Sequence, residues 1–376
     1  MATDQSARRV LPPIRASCHA AGVAGRIPVV IDPHCADHDP QAEIWLGVRT
    51  PAAEIAERVA TIESSLRELG HQIVAAREFD DAWLTRVHSA DLLEHLASVW
   101  DQWVDGGYPD LGAQRVVPYL FPSAELLHGL PIRPPAALHA QVGAFCYDTM
   151  TLIGPGSWRA IRAATHATRT AVELVAAGAR AAYALTRPPG HHATRSAYGG
   201  SCYLNNAAIA AQALRDNGFA TVAVVDVDAH HGNGTQAIFY ERADVFTASV
   251  HVDPGAGWFP HYVGFADETG RDAGRGANLN RPLAPGSGDR DWLGAVTHVV
   301  DAVAASDATA LVVALGVDAA VDDPESPLQV TVEGYRRAGS ALAALGLPTV
   351  VVQEGGYHLP TLGQLVGSAL DGLGSG

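Results

Sequence analysis

The sequence predicts an α/β protein in which a central parallel sheet carries helices on both faces. In the second half of the 376-residue chain, short β-branched runs alternate with longer helical segments, which is the rhythm of strand–helix–strand units. Polar clusters follow several of these predicted strands, and 48% of all residues are hydrophobic, which is enough for one large core.

The predicted elements follow from local periodicity. Residues 52–69 place apolar side chains three or four positions apart and end before Gly70, as an amphipathic helix does. The predicted strands are residues 28–31, 72–76, 181–185, 221–226, 245–250, 310–315 and 349–353. The further predicted helices are residues 80–87, 89–104, 155–177, 204–217, 290–305 and 331–345.

Two segments differ from the rest of the chain. Residues 1–26 are rich in Ala and Arg, and we expect a flexible leader there, followed by a single domain over residues 27–376. Residues 105–136 are rich in Gly and Pro with interspersed aromatic side chains. A loop of this length in a compact domain is usually functional or interfacial, and a plain surface insertion is the alternative.

Composition narrows the range of partners. The net charge of −15 argues against a nucleic-acid partner, because phosphate binding needs a basic surface. The sequence has no uninterrupted apolar run of about 18 residues, so we expect no membrane span. The four cysteines are scattered and form no CxxC pair, which favours a reducing, cytoplasmic location.

Polar clusters occur where five predicted strands end. Residues 187–192 follow the strand at 181–185, residues 226–231 close the next strand, and residues 249–251, 316–318 and 354–357 end or follow the remaining three. The carboxyl ends of parallel strands share one edge of a sheet, and ligands bind at that edge. The five clusters therefore predict a single site.

The cluster at residues 226–231 has the composition of a metal site. Asp226, Asp228 and His230 alternate at a strand end, so they point to one face. Two carboxylates and an imidazole suit a divalent metal, and a solvated strand end is the alternative. Asp228 and His230 together with Asp318 would supply three ligands and leave one zinc position open, as catalytic sites do.

Three further side chains suit acid–base chemistry. His191 and His192 lie on a proline-stiffened turn, and imidazole exchanges protons near neutral pH. Asp226 could orient one of these rings and Asn233 could contact the other. Tyr357 follows two glycines and could donate its phenol proton to a developing oxyanion.

The ordered motifs resemble those of the histone deacetylase superfamily, which has the arginase–deacetylase fold. They are RPPGHH (187–192), GGSCYLNN (199–206), DVDAHHGNGTQ (226–236), GVD (316–318) and EGGY (354–357), and the resemblance covers about residues 27–372. Several of them are most similar to bacterial acetylpolyamine amidohydrolases. The resemblance implies a three-layer fold with a central parallel sheet between helices.

The resemblance also implies a zinc-dependent deacetylase. Its expected substrate is a small N-acetylated amine, with an acetylpolyamine as one candidate, cleaved to acetate and free amine. One Zn²⁺ per subunit would be bound by Asp228, His230 and Asp318, although Fe²⁺ is the alternative metal. The residues that match the catalytic positions are His191, His192 as general base and acid, Tyr357, and Asp226 as the residue that orients His191.

Monovalent cations and a dimer are implied in the same way. Structural K⁺ would be held by Asp226, Asp228, His230, Ser249 and Val250. A second monovalent site would match Phe239, Arg242 and Val245. In the bacterial group, a loop like residues 105–136 helps to form a homodimer and narrows the mouth of the active site.

The mouth of the site departs from the family pattern. Ser201, beside Gly200, stands where an aromatic residue is usual, and Phe259 matches the opposite wall. His139 and Met150 stand where polyamine-specific members carry carboxylates. Glu325, after an Asp-Pro pair, matches a glutamate of polyamine-selective members and could pair with a substrate ammonium.

Other activities fit the sequence less well. A deacetylase of protein acetyl-lysine and a deacylase of another small N-acyl amide are the main alternatives. Ureohydrolase chemistry with two manganese ions is disfavoured by the tandem histidines and Tyr357. A catalytically inactive relative is disfavoured by the intact ligand set.

Overall fold

The computed structural model of the chain describes residues 26–108, 115–133 and 135–375. The predicted leader lies outside the described residues except for Arg26, and part of the loop 105–136 also lies outside them. In the described part of the chain, no helix is both long enough and apolar enough to cross a bilayer.

Strands and helices alternate through most of the described chain. The strands are β1 (Val29–Ile31), β2 (Ala42–Trp45), β3 (Val48–Pro51), β4 (Ile73–Ala75), β5 (Ala181–Ala184), β6 (Val222–Asp226), β7 (Val245–Val252), β8 (Asn278–Leu283), β9 (Ala310–Leu315) and β10 (Thr349–Gln353). The helices are α1 (Glu57–Glu68), α2 (Ala90–Asp105), α3 (Ala124–Leu127), α4 (Leu138–Phe145), α5 (Ser157–Ala176), α6 (Asn206–Asp216), α7 (Asn233–Phe239), α8 (Asp289–Ala305), α9 (Val332–Ala343) and α10 (Leu359–Gly374).

Among the described residues, eight strands form one sheet in the order β4-β1-β5-β10-β9-β6-β7-β8. All of its strand pairs are parallel. Alternate residues of each central strand enter different cores: Val225 packs on one face with α1, α8, α9 and α10, whereas Val224 packs on the other with α2, α4, α5 and α6. The predicted three-layer architecture is therefore confirmed.

The predicted strands are all present, and the predicted helices are present with one difference. Residues 80–87 contain a 3-10 helix, Ala82–Arg86, rather than an α-helix. Helix α10 was not predicted, because its glycines disfavour a helix in isolation. Those glycines allow close packing: a Cβ on Gly372 would lie 2.0 Å from the Arg336 carbonyl oxygen, and one on Gly363 would lie 2.5 Å from Ser65.

A hairpin made of β2 and β3 was also missed by the sequence analysis. It is the antiparallel pair that stands apart from the main sheet in the described chain. Its two-residue turn, Leu46-Gly47, has positive φ at both positions, as the tight turns favoured in hairpins require. The hairpin brings side chains to the functional edge of the main sheet.

Candidate active site

The three predicted metal ligands converge at the carboxyl edge of the sheet. Asp228 and His230 lie in the turn after β6, and Asp318 follows β9, the neighbouring strand. One donor atom from each lies within 4.8 Å of the others. His230 Nδ1 is 3.0 Å from Asp318 Oδ2 and 3.4 Å from Asp228 Oδ1. This donor set, one imidazole nitrogen and two carboxylates, fits a divalent cation.

Charge in this cluster also favours a cation. The side chains of Asp228 and Asp318 are almost completely buried, and buried carboxylates need a positive partner. Burial and the neighbouring Asp228 raise the pKa of Asp318 to about 7. Burial alone would lower the pKa of His230, but its bonds to both carboxylates raise it well above its ordinary value.

Two glycines shape the backbone around Asp228. A Cβ on Gly316 would lie 1.9 Å from Asp228 Oδ2, and a Cβ on Gly355 would lie 2.6 Å from the same atom. The Gly355 amide donates a hydrogen bond to that oxygen at 2.8 Å. The glycines of two predicted motifs therefore allow the main chain to approach the ligand closely.

The tandem histidines lie beside this cluster, and each ring is fixed by a different partner. His191 Nδ1 is 2.9 Å from Asp226 Oδ2, and His192 Nδ1 is 2.7 Å from Asn233 Oδ1. The two ring centroids are 3.9 Å apart. These are the contacts expected from the sequence, and the catalytic roles of the rings stay predictions.

The two rings differ in their affinity for a proton. Burial would lower the pKa of His191, but the carboxylates of Asp228 and Asp226 outweigh it and raise the pKa to about 10. Burial, with repulsion from His191 and His230, holds the pKa of His192 well below its ordinary value. His192 is therefore the neutral ring at pH 7 and the better candidate for a base.

Tyr357 faces the same cavity and is held by its loop. Its amide donates to Asp323 Oδ2 at 2.7 Å. The guanidinium of Arg58, from α1, lies 4.8 Å from the ring centroid. Arg58 also donates to the carbonyl oxygens of Glu354 and Gly356, both at 2.6 Å. Arg58 was not predicted from the sequence, because nothing in α1 indicates a partner almost 300 positions away.

A cavity of about 340 Å³ opens onto these groups. Its lining includes His192, His230 and Tyr357 from the chemical cluster. Of the residues predicted to contact substrate, the lining also contains Gly200, Ser201, Phe259, Met150 and Glu325. His139 is not among the described residues that line the cavity, and its ring packs against Tyr108 and Tyr119. Its contact with substrate stays a prediction.

Aromatic and acidic side chains complete the cavity. Phe259 lies edge-on to His192, with ring centroids 4.7 Å apart. Seven further lining residues were missed by the sequence analysis: Glu43, Trp45, Ala53, Asp148, Gly257, Trp258 and His261. Glu43 and Trp45 lie on the unpredicted hairpin, and the Leu-Gly pair between its strands is the signal that could have located them.

The predicted potassium residues form two groups. Asp226 and Ser249 are register partners on β6 and β7, and Val250 follows within β7. The second group lies at the end of α7, where the Arg242 amide donates to the Phe239 carbonyl at 2.9 Å and Val245 begins β7. Potassium binding at either place stays a prediction.

Comparison with known proteins agrees with this geometry. A family model described as the histone deacetylase domain matches residues 52–373. An acetylpolyamine amidohydrolase of Mycoplana ramosa is 39% identical over 89% of this chain and 95% of its own length. Acetylpolyamine amidohydrolase 1 of Pseudomonas aeruginosa is 41% identical over 87% of this chain and 92% of its own length.

A solved structure is similar over almost its whole length. The crystal structure of an acetylpolyamine aminohydrolase from Burkholderia pseudomallei has a TM-score of 0.86 and 36% sequence identity, covering 93% of this chain and 99% of that one. The fold and the enzyme class predicted from the sequence, an amidohydrolase of the deacetylase type, are confirmed. The chain belongs to the histone deacetylase family.

Proposed function

We propose that this enzyme removes the acetyl group from a small acetylated amine that carries a distal positive charge, with an acetylpolyamine as the leading substrate. One observation carries the substrate class. The cavity joins the buried catalytic cluster to the carboxylates of Glu43, Asp148 and Glu325, and neither Lys nor Arg is among the described residues that line it. An ammonium group is the complementary partner for such a surface. The names of the relatives from M. ramosa and P. aeruginosa agree with this class.

The proposed metal site consists of Asp228, His230 and Asp318, which would hold one Zn²⁺ per subunit, with Fe²⁺ as the alternative. A divalent cation bound there would polarise the substrate carbonyl and acidify a water molecule. Replacing Asp318 by Asn should abolish stoichiometric metal binding, which elemental analysis of the purified protein measures. Full metal content in that variant would contradict the assignment.

The side chains around the metal site would perform the proton transfers. His192, neutral and oriented by Asn233, would accept a proton from the attacking water and deliver it to the leaving amine. His191 and Asp226 would hold positive charge beside it. The Tyr357 hydroxyl would donate a hydrogen bond to the oxyanion of the tetrahedral intermediate. The products would be acetate and the free amine.

Bound potassium and a homodimer belong to the same proposal. One K⁺ would be held by Asp226, Asp228, His230, Ser249 and Val250, and a second monovalent cation by Phe239, Arg242 and Val245. The chain would form a homodimer through the segment 119–132, where Tyr119, Leu126 and Leu130 are 77%, 56% and 68% exposed, because large exposed apolar side chains in one segment mark an interface. Light scattering should therefore give twice the chain mass of 39.3 kDa.

We also propose a cytoplasmic location. The cysteines that the structure describes, Cys35, Cys146 and Cys202, are all free and buried. Free thiols of this kind are typical of a reducing compartment.

A substrate panel tests the proposed function. Acetylputrescine, acetylcadaverine and acetylspermidines should be hydrolysed with kcat/KM at least about tenfold above neutral N-alkylacetamides and acetyl-lysine peptides. Metal content should be measured on the same preparation. Faster hydrolysis of the peptides would favour a protein deacetylase, and equal rates on neutral amides would favour a general deacylase.

A further inference from the structure

Glu354 follows β10 and is completely buried beside the turn that carries the tandem histidines. Its carboxylate oxygen Oε2 accepts hydrogen bonds from two consecutive amides of that turn, Gly190 at 2.6 Å and His191 at 3.1 Å. The side chain therefore connects the motif that contains Tyr357 to the main chain of the histidine turn, 164 positions earlier.

The amides of the histidine turn depend on this one acceptor. Two prolines precede Gly190 in the chain and have no N–H. In the described part of the chain, the Gly190 and His191 amides donate only to Glu354. The His191 carbonyl, by contrast, accepts from the Gly234 amide at 3.0 Å and from two further donors. Loss of the Glu354 oxygen would therefore release the turn on its amide side.

Glu354 is itself held by the centre of the sheet. Strand β10 pairs with β5 on one side and with β9 on the other, and the Glu354 amide donates to the Leu315 carbonyl at 2.9 Å. Its carbonyl accepts from the Arg58 guanidinium at 2.6 Å. A side chain on such a rigid element fixes the group that it contacts more precisely than a side chain on a loop does.

Full burial of the Glu354 carboxylate is unfavourable unless its oxygens are compensated. No arginine forms an ion pair with it within residues 26–108, 115–133 and 135–375, and the sequence contains no lysine. The two amide bonds supply compensation, because hydrogen bonds to a charged acceptor are about twice as strong as neutral ones. A ring nitrogen of His191 also lies within 4.8 Å of a Glu354 oxygen. The interactions that offset the burial are thus directed at the histidine turn.

The rings that this turn carries lie close to the metal ligands. His191 Nε2 is 3.8 Å from Asp228 Oδ1, and the ring centroids of His192 and His230 are 6.1 Å apart. Misplacement of a reacting group by about 1 Å can lower a rate about 100-fold. Glu354 is not among the described residues that line the cavity, so its effect on the reaction would act through the residues that it holds.

We propose that Glu354 is a positioning residue: its carboxylate fixes the main chain of residues 190–192 and thereby the places of the His191 and His192 rings beside the metal ligands. This inference rests on the proposed catalytic roles of the two histidines. Glu354 itself contacts neither the substrate nor the reacting atoms.

Two substitutions separate geometry from charge. Glu354→Gln loses the charge but keeps an acceptor oxygen at the same reach, whereas Glu354→Asp keeps the charge and withdraws both oxygens by one methylene. With an acetylated diamine as substrate, kcat should fall about 100-fold in Glu354→Asp but stay within about tenfold of the wild type in Glu354→Gln. In both variants KM should change less than about twofold, and metal content should be unchanged.

Val350→Ala is the matched control for a general loss of stability. It shortens a completely buried side chain four positions earlier, on the same strand. Because the acceptor of the Gly190 and His191 amides stays in place, kcat should remain within about twofold of the wild type.

Amide hydrogen exchange, followed by mass spectrometry, gives a readout that needs no activity. The fragment that spans residues 187–193 should exchange about tenfold faster in Glu354→Asp than in the wild type, because its amides lose their acceptor. Exchange of this fragment should be nearly unchanged in Glu354→Gln and in Val350→Ala.

Several results would overturn the inference. A loss of kcat in Glu354→Gln as large as that in Glu354→Asp would assign the residue an electrostatic role in place of a positioning one. Normal kcat in Glu354→Asp, or unchanged exchange at residues 187–193 in that variant, would contradict the anchoring. An equal loss in Val350→Ala would reduce the effect to general destabilisation. If the wild type hydrolyses no acetylated amine, the proposed function fails, whereas faster exchange in Glu354→Asp still supports the anchoring of the turn.

Discussion

Two adjacent histidines of identical chemistry acquire opposite protonation preferences from their neighbours. His191 contacts a carboxylate, Asp226, whereas His192 contacts a neutral amide, Asn233. Attraction by buried carboxylates therefore raises the pKa of His191, while burial lowers that of His192. The repeated residue type in the sequence thus conceals two different protonation states, which agree with the proposal that His191 holds charge and His192 exchanges a proton.

The proposed hydrogen bond from the Tyr357 hydroxyl to the oxyanion can be tested by a single substitution. Tyr357→Phe removes one hydroxyl from the cavity and leaves the three metal ligands unchanged. Loss of one oxyanion donor typically lowers kcat by about 10²–10³-fold, or roughly 3–4 kcal/mol. Steady-state kinetics on an acetylated diamine would measure this loss, with zinc content determined in parallel. Near-normal turnover, or a parallel loss of zinc, would contradict the oxyanion role.

At the scale of elements, helix α1 supports the loop that carries Tyr357. Its Arg58 donates to two carbonyls of that loop and lies over the tyrosine ring. Glu54, which precedes α1, joins Arg58 to Arg187, the first residue of the tandem-histidine motif. One buried ion network therefore links the loop that carries Tyr357 to the turn that carries the tandem histidines. Such a link would hold the candidate catalytic side chains in fixed relative positions.

Arg58→Lys tests this link while retaining the buried charge. Lysine cannot reproduce the planar set of donors, so we expect kcat to fall about tenfold or more, with KM and metal content nearly unchanged. Arg67→Lys is the matched control, because Arg67 lies on the same helix but is exposed and paired with Glu63. An unchanged kcat in Arg58→Lys would show that the loop holds Tyr357 without the guanidinium.

At the scale of the whole molecule, buried neutral histidines link stability to pH. His88 is completely buried; its Nδ1 lies 3.0 Å from the Thr194 carbonyl oxygen, and its Nε2 accepts the Asn205 amide proton. Burial lowers its pKa to about 4. Between pH 6.5 and about pH 4, His88 is protonated in the unfolded chain but stays neutral in the folded chain. The free energy of unfolding therefore decreases as the pH falls through this range.

The expected contribution of His88 is up to about 3 kcal/mol between pH 7 and pH 4. Urea unfolding at several pH values would measure it. His88→Gln, which retains a donor and an acceptor, should flatten the pH dependence, whereas replacing the exposed His298 by Gln should leave it unchanged. Parallel pH curves for wild type and His88→Gln would contradict this origin of acid sensitivity.

The sequence by itself determined seven of the eight described strands of the central sheet, all except β8, and the chemical cluster. Most of the predicted strands contain runs of buried Val and Ala, whereas β8 is the partly polar segment Asn278–Leu283. Apolar periodicity is a local property that needs no knowledge of the fold. The metal ligands Asp228 and His230, the tandem histidines and Tyr357 lie in motifs of a few residues next to strand ends. Because parallel strands end along one edge, local positions were sufficient to predict that these residues meet.

The tertiary structure alone decided several of the side chains that surround that cluster. Arg58 meets the Tyr357 loop across 298 positions, and Glu43 reaches the cavity through a hairpin outside the main sheet. His139, predicted to contact the substrate, packs against two tyrosines. Contacts between distant segments depend on how helices and loops pack, and single side chains on those elements carry no local signal of their partners.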